Sequence, residues 1–188
     1  MEILPLKLTP AQTLPEILHI EPDVFSDDRG YFLETYQARK YEKHGISEMF
    51  VQDNSSFSKK DVLRGLHYQI GRPQGKLVYV VRGEIFDVAV DIRKGSPTFG
   101  RWVSYILSSE NNHQIFIPDG FAHGFCVLSD IAHVMYKCTD FFDPASARGI
   151  IWNDTALQIE WPVEHPILSD KDKTYQSYLQ KNFRHINH

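Results

Sequence analysis

The first candidate for chemistry is a histidine in an apolar, strand-like stretch. His67 lies two residues after Gly65 in the sequence Val-Leu-Arg-Gly-Leu-His-Tyr-Gln, and the cations Arg64 and Lys76 are near it in the chain. Imidazole exchanges a proton near neutral pH, so an inward-facing histidine is a candidate general base. Two cations beside it suit a substrate that carries phosphate or forms an enolate. Three roles are open for His67 at this point: a general base, a metal ligand, or a core histidine whose hydrogen bonds are satisfied within the protein.

Two further polar segments interrupt the apolar runs. Gln-Asp-Asn-Ser-Ser at residues 52–56 is a run of short hydrogen-bonding side chains, which on its own favours a turn over a ligand-reading loop. In residues 117–125, a Pro-x-Gly-x-x-His sequence predicts a sharp turn that places His123 at the start of a strand.

The spacing before His123 resembles the second motif of the cupin superfamily, a small β-barrel or jelly-roll fold. Metal-binding cupins also carry a His-x-His pair and a glutamate on an earlier strand, and the single His67 does not supply that pair. Because a metal site needs three or four converging ligands, we expect a cupin-like barrel without a metal.

The elements that must position these residues are mostly short strands. Apolar runs separated by turn signals fill residues 76–137, which is typical of an all-β sandwich or barrel. Residues 85–92 alternate, which predicts one apolar face and one face that carries Asp87 and Asp91. Strand-like pieces at 17–20 and 31–36 flank a turn at 26–30. Helix is expected at 37–44, where Gly45 ends it, and at 171–181.

The composition fits one domain over residues 1–188, of which 42% are hydrophobic and 13% aromatic. The net charge is −4, with 20 basic and 24 acidic residues interspersed, so no basic stripe indicates nucleic-acid binding. No apolar run has the length of a signal peptide core or a membrane span, and a cytoplasmic location is expected. Cys126 and Cys138 are predicted to be buried free thiols.

Taken together, the motifs resemble those of the dTDP-4-dehydrorhamnose 3,5-epimerase family, in family order and over nearly the full chain. The resemblance implies an all-β, cupin-like jelly roll or barrel with N-terminal strands, a few short helices and a C-terminal helical segment. The blocks that carry it are residues 28–34, 52–54, 63–67, 75–78, 86–93, 117–125, 136–137, 152–154 and 161–162.

The resemblance implies an isomerase that needs no metal and no organic cofactor. The substrate would be a nucleotide-linked 4-keto-6-deoxyhexose, whose C3 and C5 protons are acidic because the C4 ketone delocalises the carbanion. His67 would be the base and Asp172 its carboxylate partner. Lys76 would stabilise the enolate, and Tyr136 would return a proton on the opposite face.

The resemblance also implies a set of substrate-binding residues and a homodimer with exchanged N-terminal strands. Phe142 would stack on the nucleotide base, at a position where tyrosine is common. Ala147 stands where the family usually has a glutamate that contacts substrate. The remaining residues expected to contact the nucleotide, pyrophosphate or sugar are Arg29, Glu34, Gln52, Asn54, Arg64, His123 and Lys171.

Three alternatives accompany this interpretation. The departures at Phe142 and Ala147 allow a mono-epimerase or an enzyme for a CDP- or GDP-linked 4-ketosugar. A catalytically inactive sugar-nucleotide-binding module is a second alternative, although it would have no need to keep His67, Lys76 and Tyr136 together. A metal-dependent cupin enzyme is the third. By resemblance, the product would feed synthesis of a deoxysugar for a surface polysaccharide, such as O-antigen, or for a glycosylated metabolite.

Overall fold

The computed structural model describes residues 6–178, and β-strands dominate this part of the chain. The elements are β1 (Leu6–Pro10), β2 (Leu18–Pro22), β3 (Val24–Asp27), β4 (Gly30–Leu33), α1 (Ala38–Lys43), β5 (Gln52–Lys59), β6 (Leu63–Gln69), β7 (Lys76–Arg82), β8 (Glu84–Asp91), β9 (Trp102–Ser108), β10 (Gln114–Ile117), β11 (Phe121–Val127), β12 (Ile131–Cys138), β13 (Ala147–Gly149) and a 3₁₀ turn (Asp172–Thr174).

Two antiparallel sheets face each other. One has the strand order β1-β2-β10-β7-β12-β5 and the other β13-β6-β11-β8-β9, while β3 and β4 form a separate two-stranded sheet. The predicted all-β class is confirmed, and the large sheets form a jelly-roll-like sandwich. No helix within residues 6–178 is long and apolar enough to cross a membrane.

Strand β8 shows how the core is built. Its residues alternate as predicted, but both faces are buried: Ala89 packs in the main cluster between the sheets, and Val88 packs in a second cluster. Asp87 and Asp91 are fully buried, so each carboxylate needs an internal partner. Asp91 accepts hydrogen bonds from Arg93 at 2.8 to 3.0 Å and thereby fixes the turn after the strand.

The turn predicted at residues 52–56 is wrong, because this segment is part of strand β5. Every residue of β5 pairs with β12, from Gln52 opposite Cys138 to Lys59 opposite Ile131. Even-numbered side chains of β5 point inward and odd-numbered ones outward. The short polar residues therefore follow a strand period at a sheet edge, and backbone pairing outweighs their preference for turns.

The two helix predictions have opposite outcomes. Helix α1 confirms the first: the side chain of Gln37 caps it by accepting a hydrogen bond from Lys40 N at 2.6 Å, and Gly45 follows with a φ of +92°. The second is wrong over residues 171–178, where only the 3₁₀ turn forms, and 179–181 lie outside the described residues. A backbone hydrogen bond to the segment after β13 holds this part of the chain extended, as Ile151 N donates to Gln176 O at 3.1 Å.

Candidate active site

A cavity of about 400 Å³ opens between the two sheets. Strands β5, β7 and β12 form one wall, and β6, β13 and the segment around the 3₁₀ turn form the other. All four residues predicted to be catalytic line it: His67, Lys76, Tyr136 and Asp172. Five of the predicted binding residues also line it: Gln52, Asn54, Arg64, Phe142 and Lys171.

His67 and Asp172 form a hydrogen-bonded pair on the cavity wall. Nε2 of His67 lies 2.6 Å from Oδ1 of Asp172, although the two residues are 105 positions apart in the chain. Asp172 is buried, whereas 45% of the His67 side chain is exposed. Because a carboxylate only accepts hydrogen bonds, Nε2 carries the hydrogen and the unprotonated Nδ1 is left as a proton acceptor.

Local hydrogen bonds hold Asp172 in place. Ser169 Oγ donates to Asp172 Oδ2 at 2.8 Å and accepts from Asp172 N at 3.1 Å, a reciprocal arrangement that starts the 3₁₀ turn. Leu63 N donates to Ile167 O at 3.1 Å, beside the strand that carries His67. The C-terminal segment is thus tied to β6 before it delivers the carboxylate.

Lys76 is a buried cation at the start of β7. Its Nζ donates to the backbone oxygen of Gln74 at 3.3 Å. Burial lowers the pKa of Lys76 below its usual value, and the nearby charges of Cys138 and Asp87 oppose that shift. Asp87 lies outside the cavity lining, and its Oδ1 has no hydrogen-bond partner among the described residues. Its coulombic interaction with Lys76 favours the ammonium form of the lysine.

Tyr136 approaches the cavity from the sheet that faces His67. It lies on β12, between Asn54 of β5 and Val78 of β7. Burial and the proximity of Cys138 raise the pKa of Tyr136, and Arg64 opposes the shift. The phenol therefore keeps its proton at neutral pH and can donate it.

The cavity is strongly cationic. Arg64, Lys76, Arg148 and Lys171 line it, and Asp172 is the only acidic residue among the described lining residues. Because Asp172 is already paired with His67, the cations have no acidic partner within the cavity wall. Such a site favours a ligand that carries several negative charges.

The cavity rim is built around Phe142. Its backbone N donates to Gln52 Oε1 at 2.9 Å, while the ring is exposed. Gln69, two residues after His67 on β6, accepts from Asp143 N at 2.7 Å and donates to Phe141 O at 3.3 Å. One buried amide thus fixes the loop that presents the Phe142 ring.

Three predicted binding residues lie away from this cavity. His123 is buried on β11 and its Nε2 lies 2.8 Å from Asp87 Oδ2. The side chain of Arg29 is 90% exposed on the β3–β4 hairpin and pairs with Asp27. Glu34 pairs with the buried Lys40 at 3.3 Å. Within residues 6–178, no group of three or more His, Cys, Asp or Glu side chains is placed to hold a metal ion.

The cavity also contains residues that the sequence argument missed, of which three are informative. Gln69 follows His67 by two positions, so strand alternation alone places it on the same face. Arg148 directly follows Ala147, the position where the resemblance implies a glutamate. Tyr175 follows Asp172 by three residues, one turn of a 3₁₀ helix, but the segment was expected to be a long helix.

Comparisons with known proteins agree with this geometry. A model of the dTDP-4-dehydrorhamnose 3,5-epimerase family matches residues 11–180. A protein of that name from Shigella flexneri is 54% identical over 172 residues, covering 90% of this chain and 95% of the relative. The matched range includes every strand that lines the cavity and the segment that carries Asp172.

Two solved structures show the same fold. The crystal structure of dTDP-6-deoxy-D-glucose-3,5-epimerase from Legionella pneumophila Philadelphia 1, in complex with dTDP-4-keto-L-rhamnose, is 49% identical, with a TM-score of 0.93 and 97% of each chain covered. The structure of a 3'-monoepimerase from Streptomyces bikiniensis, in complex with dTDP-quinovose, is 32% identical, with a TM-score of 0.82, covering 88% of this chain and 85% of that one.

Proposed function

We infer that this chain, which belongs to the dTDP-4-dehydrorhamnose 3,5-epimerase family, is an isomerase that converts dTDP-4-dehydro-6-deoxy-D-glucose to dTDP-4-dehydro-L-rhamnose. The observation that carries the mechanism is the 2.6 Å hydrogen bond between His67 and Asp172 on the wall of a cationic cavity. It gives a histidine one defined tautomer and an open acceptor nitrogen, which is what abstraction of a sugar proton requires.

The first step is proton removal next to the C4 ketone. Nδ1 of His67 takes the proton from C3 or C5, and the electron pair of the broken C–H bond delocalises onto the C4 oxygen as an enolate. The carboxylate of Asp172 stabilises the imidazolium that forms, because its negative charge lies against Nε2–H.

Lys76 stabilises the enolate. A buried ammonium group at the cavity wall is already oriented before charge develops on the C4 oxygen, and water does not screen it. The attraction of Asp87 helps to keep this lysine protonated in spite of its burial.

Tyr136 completes the inversion. It and His67 lie on facing sheets, so a hexose in the cavity has one group on each of its faces. The phenol donates its proton to the carbon from the side opposite His67, and the C4 ketone forms again. The phenolate then takes a proton from water and the imidazolium releases one to water, so both groups are reset before the second carbon reacts. Inversion at a carbon follows because removal and return of the proton occur on different faces.

The remaining polar residues anchor the substrate. Arg64 and Lys171 suit the pyrophosphate, and the exposed ring of Phe142 suits stacking on the base. Gln52 and Asn54 are hydrogen-bonded to each other at 3.0 Å on the cavity wall and are proposed to contact the nucleotide or sugar. A substrate contact of His123 is also part of the proposal, with Asp87 orienting its ring.

A homodimer is part of the proposal. Arg29 and Glu34 do not reach the cavity of their own chain, and the hairpin that carries Arg29 exposes Phe25, Tyr31 and Phe32. Exchange of this hairpin between two copies would bury these rings and bring both polar residues to the partner's substrate. We also propose that residues 1–188 form one domain and that the enzyme is cytoplasmic, where the free thiols Cys126 and Cys138 are stable.

A mono-epimerase is the second candidate. Ala147 lines the cavity at the position where the resemblance implies a glutamate, so the wall loses a carboxylate there. The 3'-monoepimerase relative shows that the shared fold is compatible with inversion at one carbon.

One experiment separates these functions. The protein is incubated in deuterated water with dTDP-, CDP- and GDP-linked 4-keto-6-deoxyhexoses, and proton NMR follows each sugar position. We expect deuterium at both C3 and C5 of the dTDP-linked sugar. Deuterium at one carbon would establish the mono-epimerase, faster exchange in a CDP- or GDP-linked sugar would change the nucleotide, and no exchange in any substrate would overturn the epimerase proposal.

A further inference from the structure

Gly149, which has no side chain, lies beside the proposed base. Gly149 of β13 is the register partner of His67 on β6, so the two residues lie directly opposite each other in the sheet. Its backbone does not adopt a left-handed conformation, so the chain path does not require glycine. The requirement is steric, because a Cβ at this position would overlap the ring of Tyr175.

The ring of Tyr175 occupies the space that a side chain at position 149 would need, and it packs against the imidazole. The ring centroids of His67 and Tyr175 are 5.8 Å apart, and the ring planes meet at 73°, which is an edge-to-face contact. Tyr175 comes from the same segment as Asp172, directly after the 3₁₀ turn. One short segment therefore supplies both the carboxylate on Nε2 and an aromatic wall beside the ring.

The segment is anchored on both sides of Tyr175. Asp172 is fixed through Ser169, and Gln176 O accepts from Ile151 N at 3.1 Å. Two residues further on, Tyr178 N donates to Asp154 Oδ2 at 2.6 Å. These bonds hold the Tyr175 ring over the ladder that joins β6 and β13.

The pKa of Tyr175 is consistent with a neutral aromatic side chain beside His67. Burial raises the pKa of Tyr175 to about 12, and the nearby charge of Asp172 adds to the shift. The phenol is therefore neutral wherever the enzyme works and places no second negative charge beside the His67–Asp172 pair.

We propose that Tyr175 is a positioning residue of this active site: its ring, seated over Gly149, holds the His67 imidazole in the orientation that binds Asp172 and presents Nδ1 to the sugar. The kinetic part of this inference rests on the proposed function. Tyr175 acts through His67 and takes no part in proton transfer. The contact that matters is the ring, not the hydroxyl group.

Four variants test the inference: Tyr175→Ala, Tyr175→Phe, Gly149→Ala and the double variant Gly149→Ala with Tyr175→Ala. Tyr175→Ala should lower kcat about tenfold with KM within about twofold, because misorientation of a base affects the chemical step more than binding. Tyr175→Phe should keep kcat within about twofold of wild type. Gly149→Ala should reproduce the loss, since the new methyl group displaces the ring.

The double variant separates positioning from general damage. If Gly149 and Tyr175 act as one unit, the double variant should be no slower than Tyr175→Ala alone. If the kcat loss in the double variant were the product of the two single-variant losses, the inference would be overturned. Wild-type kcat in Tyr175→Ala would also overturn it, as would equal damage from Tyr175→Phe. If Tyr175→Ala does not fold, the comparison of Gly149→Ala with Tyr175→Phe tests the same contact.

A second readout does not depend on activity. Nitrogen-15 NMR of the His67 ring reports which nitrogen carries hydrogen and whether that hydrogen is protected from exchange. We expect protected Nε2–H in wild type and Tyr175→Phe, and loss of protection in Tyr175→Ala and Gly149→Ala. Unchanged protection in all variants would overturn the positioning role, whereas absence of solvent exchange in every substrate would overturn the proposed function alone.

Discussion

The part of the cavity proposed to transfer protons and the β3–β4 hairpin are built in opposite ways. His67, Lys76 and Tyr136 lie on strands that are paired on both sides, and each contributes a side chain to a cavity enclosed by two sheets. Strands β3 and β4 form a separate two-stranded sheet, and the residues of β3 are all exposed. The hairpin carries Arg29, whose ion-pair partner is Asp27 of the same turn.

This difference indicates which parts of the proposed enzyme one chain can supply. The proposed base has its partner within the chain, since Asp172 binds His67. The hairpin has exposed aromatic rings and a cation that does not line the cavity of its own chain. We therefore expect a substitution in the cavity to impair the site of its own chain. A substitution in the hairpin should be compensated by the intact hairpin of a second copy.

Among single substitutions that leave His67 intact, loss of the buried cation should have the largest effect. Lys76→Met should lower kcat by about 10²- to 10³-fold, because it removes a preorganised charge at the developing enolate. Lys137→Met is the matched control, since Lys137 neighbours Tyr136 on β12 but pairs with the exposed Asp53 at 2.9 Å. Steady-state rates with the dTDP-linked substrate check this, and similar losses in both variants would contradict a specific role for Lys76.

Arg29→Ala should have the next largest effect, and it tests the exchange directly. We expect KM to rise about tenfold with a smaller change in kcat, as for loss of one anchoring charge pair. In heterodimers of an Arg29→Ala chain and a His67→Asn chain, purified through two different tags, the sites with an intact His67 should regain the wild-type KM. If Arg29 acts in the partner's cavity, about half of their sites combine an intact His67 with an intact Arg29.

The matched heterodimer combines His67→Asn with Lys76→Met. Both defects lie in the cavity of their own chain, so neither site is complete and no activity should return. Recovery of activity in this control, or a KM that stays about tenfold raised in the heterodimer with Arg29→Ala, would contradict the division between the two regions.

The fall of kcat/KM at alkaline pH should reflect loss of the proton from Lys76. Burial lowers the pKa of Lys76 and raises the pKa of Tyr136, so of the two groups it is Lys76 that loses its proton at a lower pH than in solution. We expect kcat/KM to fall about tenfold per pH unit, beginning below the ordinary lysine pKa of 10.5. Initial rates of wild type and Lys76→Met check this. This fall should be absent from the variant, and its persistence would assign it to another group.

The smallest expected effect is on stability. Because burial lowers the pKa of Lys76, its protonated form is disfavoured in the folded state, and this cost is complete below the folded pKa. Lys76→Met should therefore leave the free energy of unfolding at pH 7 unchanged or raise it by about 1 kcal/mol. The gain should shrink as the pH approaches 10.5, where the unfolded chain also loses the proton. Urea unfolding of wild type and Lys76→Met at both pH values measures this change in the free energy of unfolding. A large loss of stability in the variant at pH 7 would contradict the expected cost of burying the charged lysine.

The sequence predicts the strands well where apolar periodicity is strong. Residues 114–117 form β10 with the predicted bounds, and the helix at 37–44 forms with its glycine stop. Strand β5 was missed because Gln52 and Asn54 favour turns locally, and only pairing with β12 along its whole length makes them a strand. Pairing between distant segments has no local signature.

Prediction of the site residues from the sequence has the same limit, because contacts between distant segments have no local signature. His67 and Lys76 are conspicuous, since each is a polar residue in an apolar strand, and both line the cavity. The roles of Asp172 and Tyr136 came from resemblance, because a contact across 105 residues has no sequence period. Tyr175 was missed for a physical reason: its place depends on the absence of a side chain at Gly149, which only the folded ladder reveals.

The most direct test of the account is solvent exchange in wild type and His67→Asn, measured side by side with dTDP binding. Asparagine preserves polarity and approximate size but accepts no proton at this position. The account predicts deuterium at C3 and C5 with wild type, loss of exchange by about 10³-fold or more with His67→Asn, and dTDP affinity within about twofold. Exchange by His67→Asn at the wild-type rate would contradict the assignment of His67 as the base.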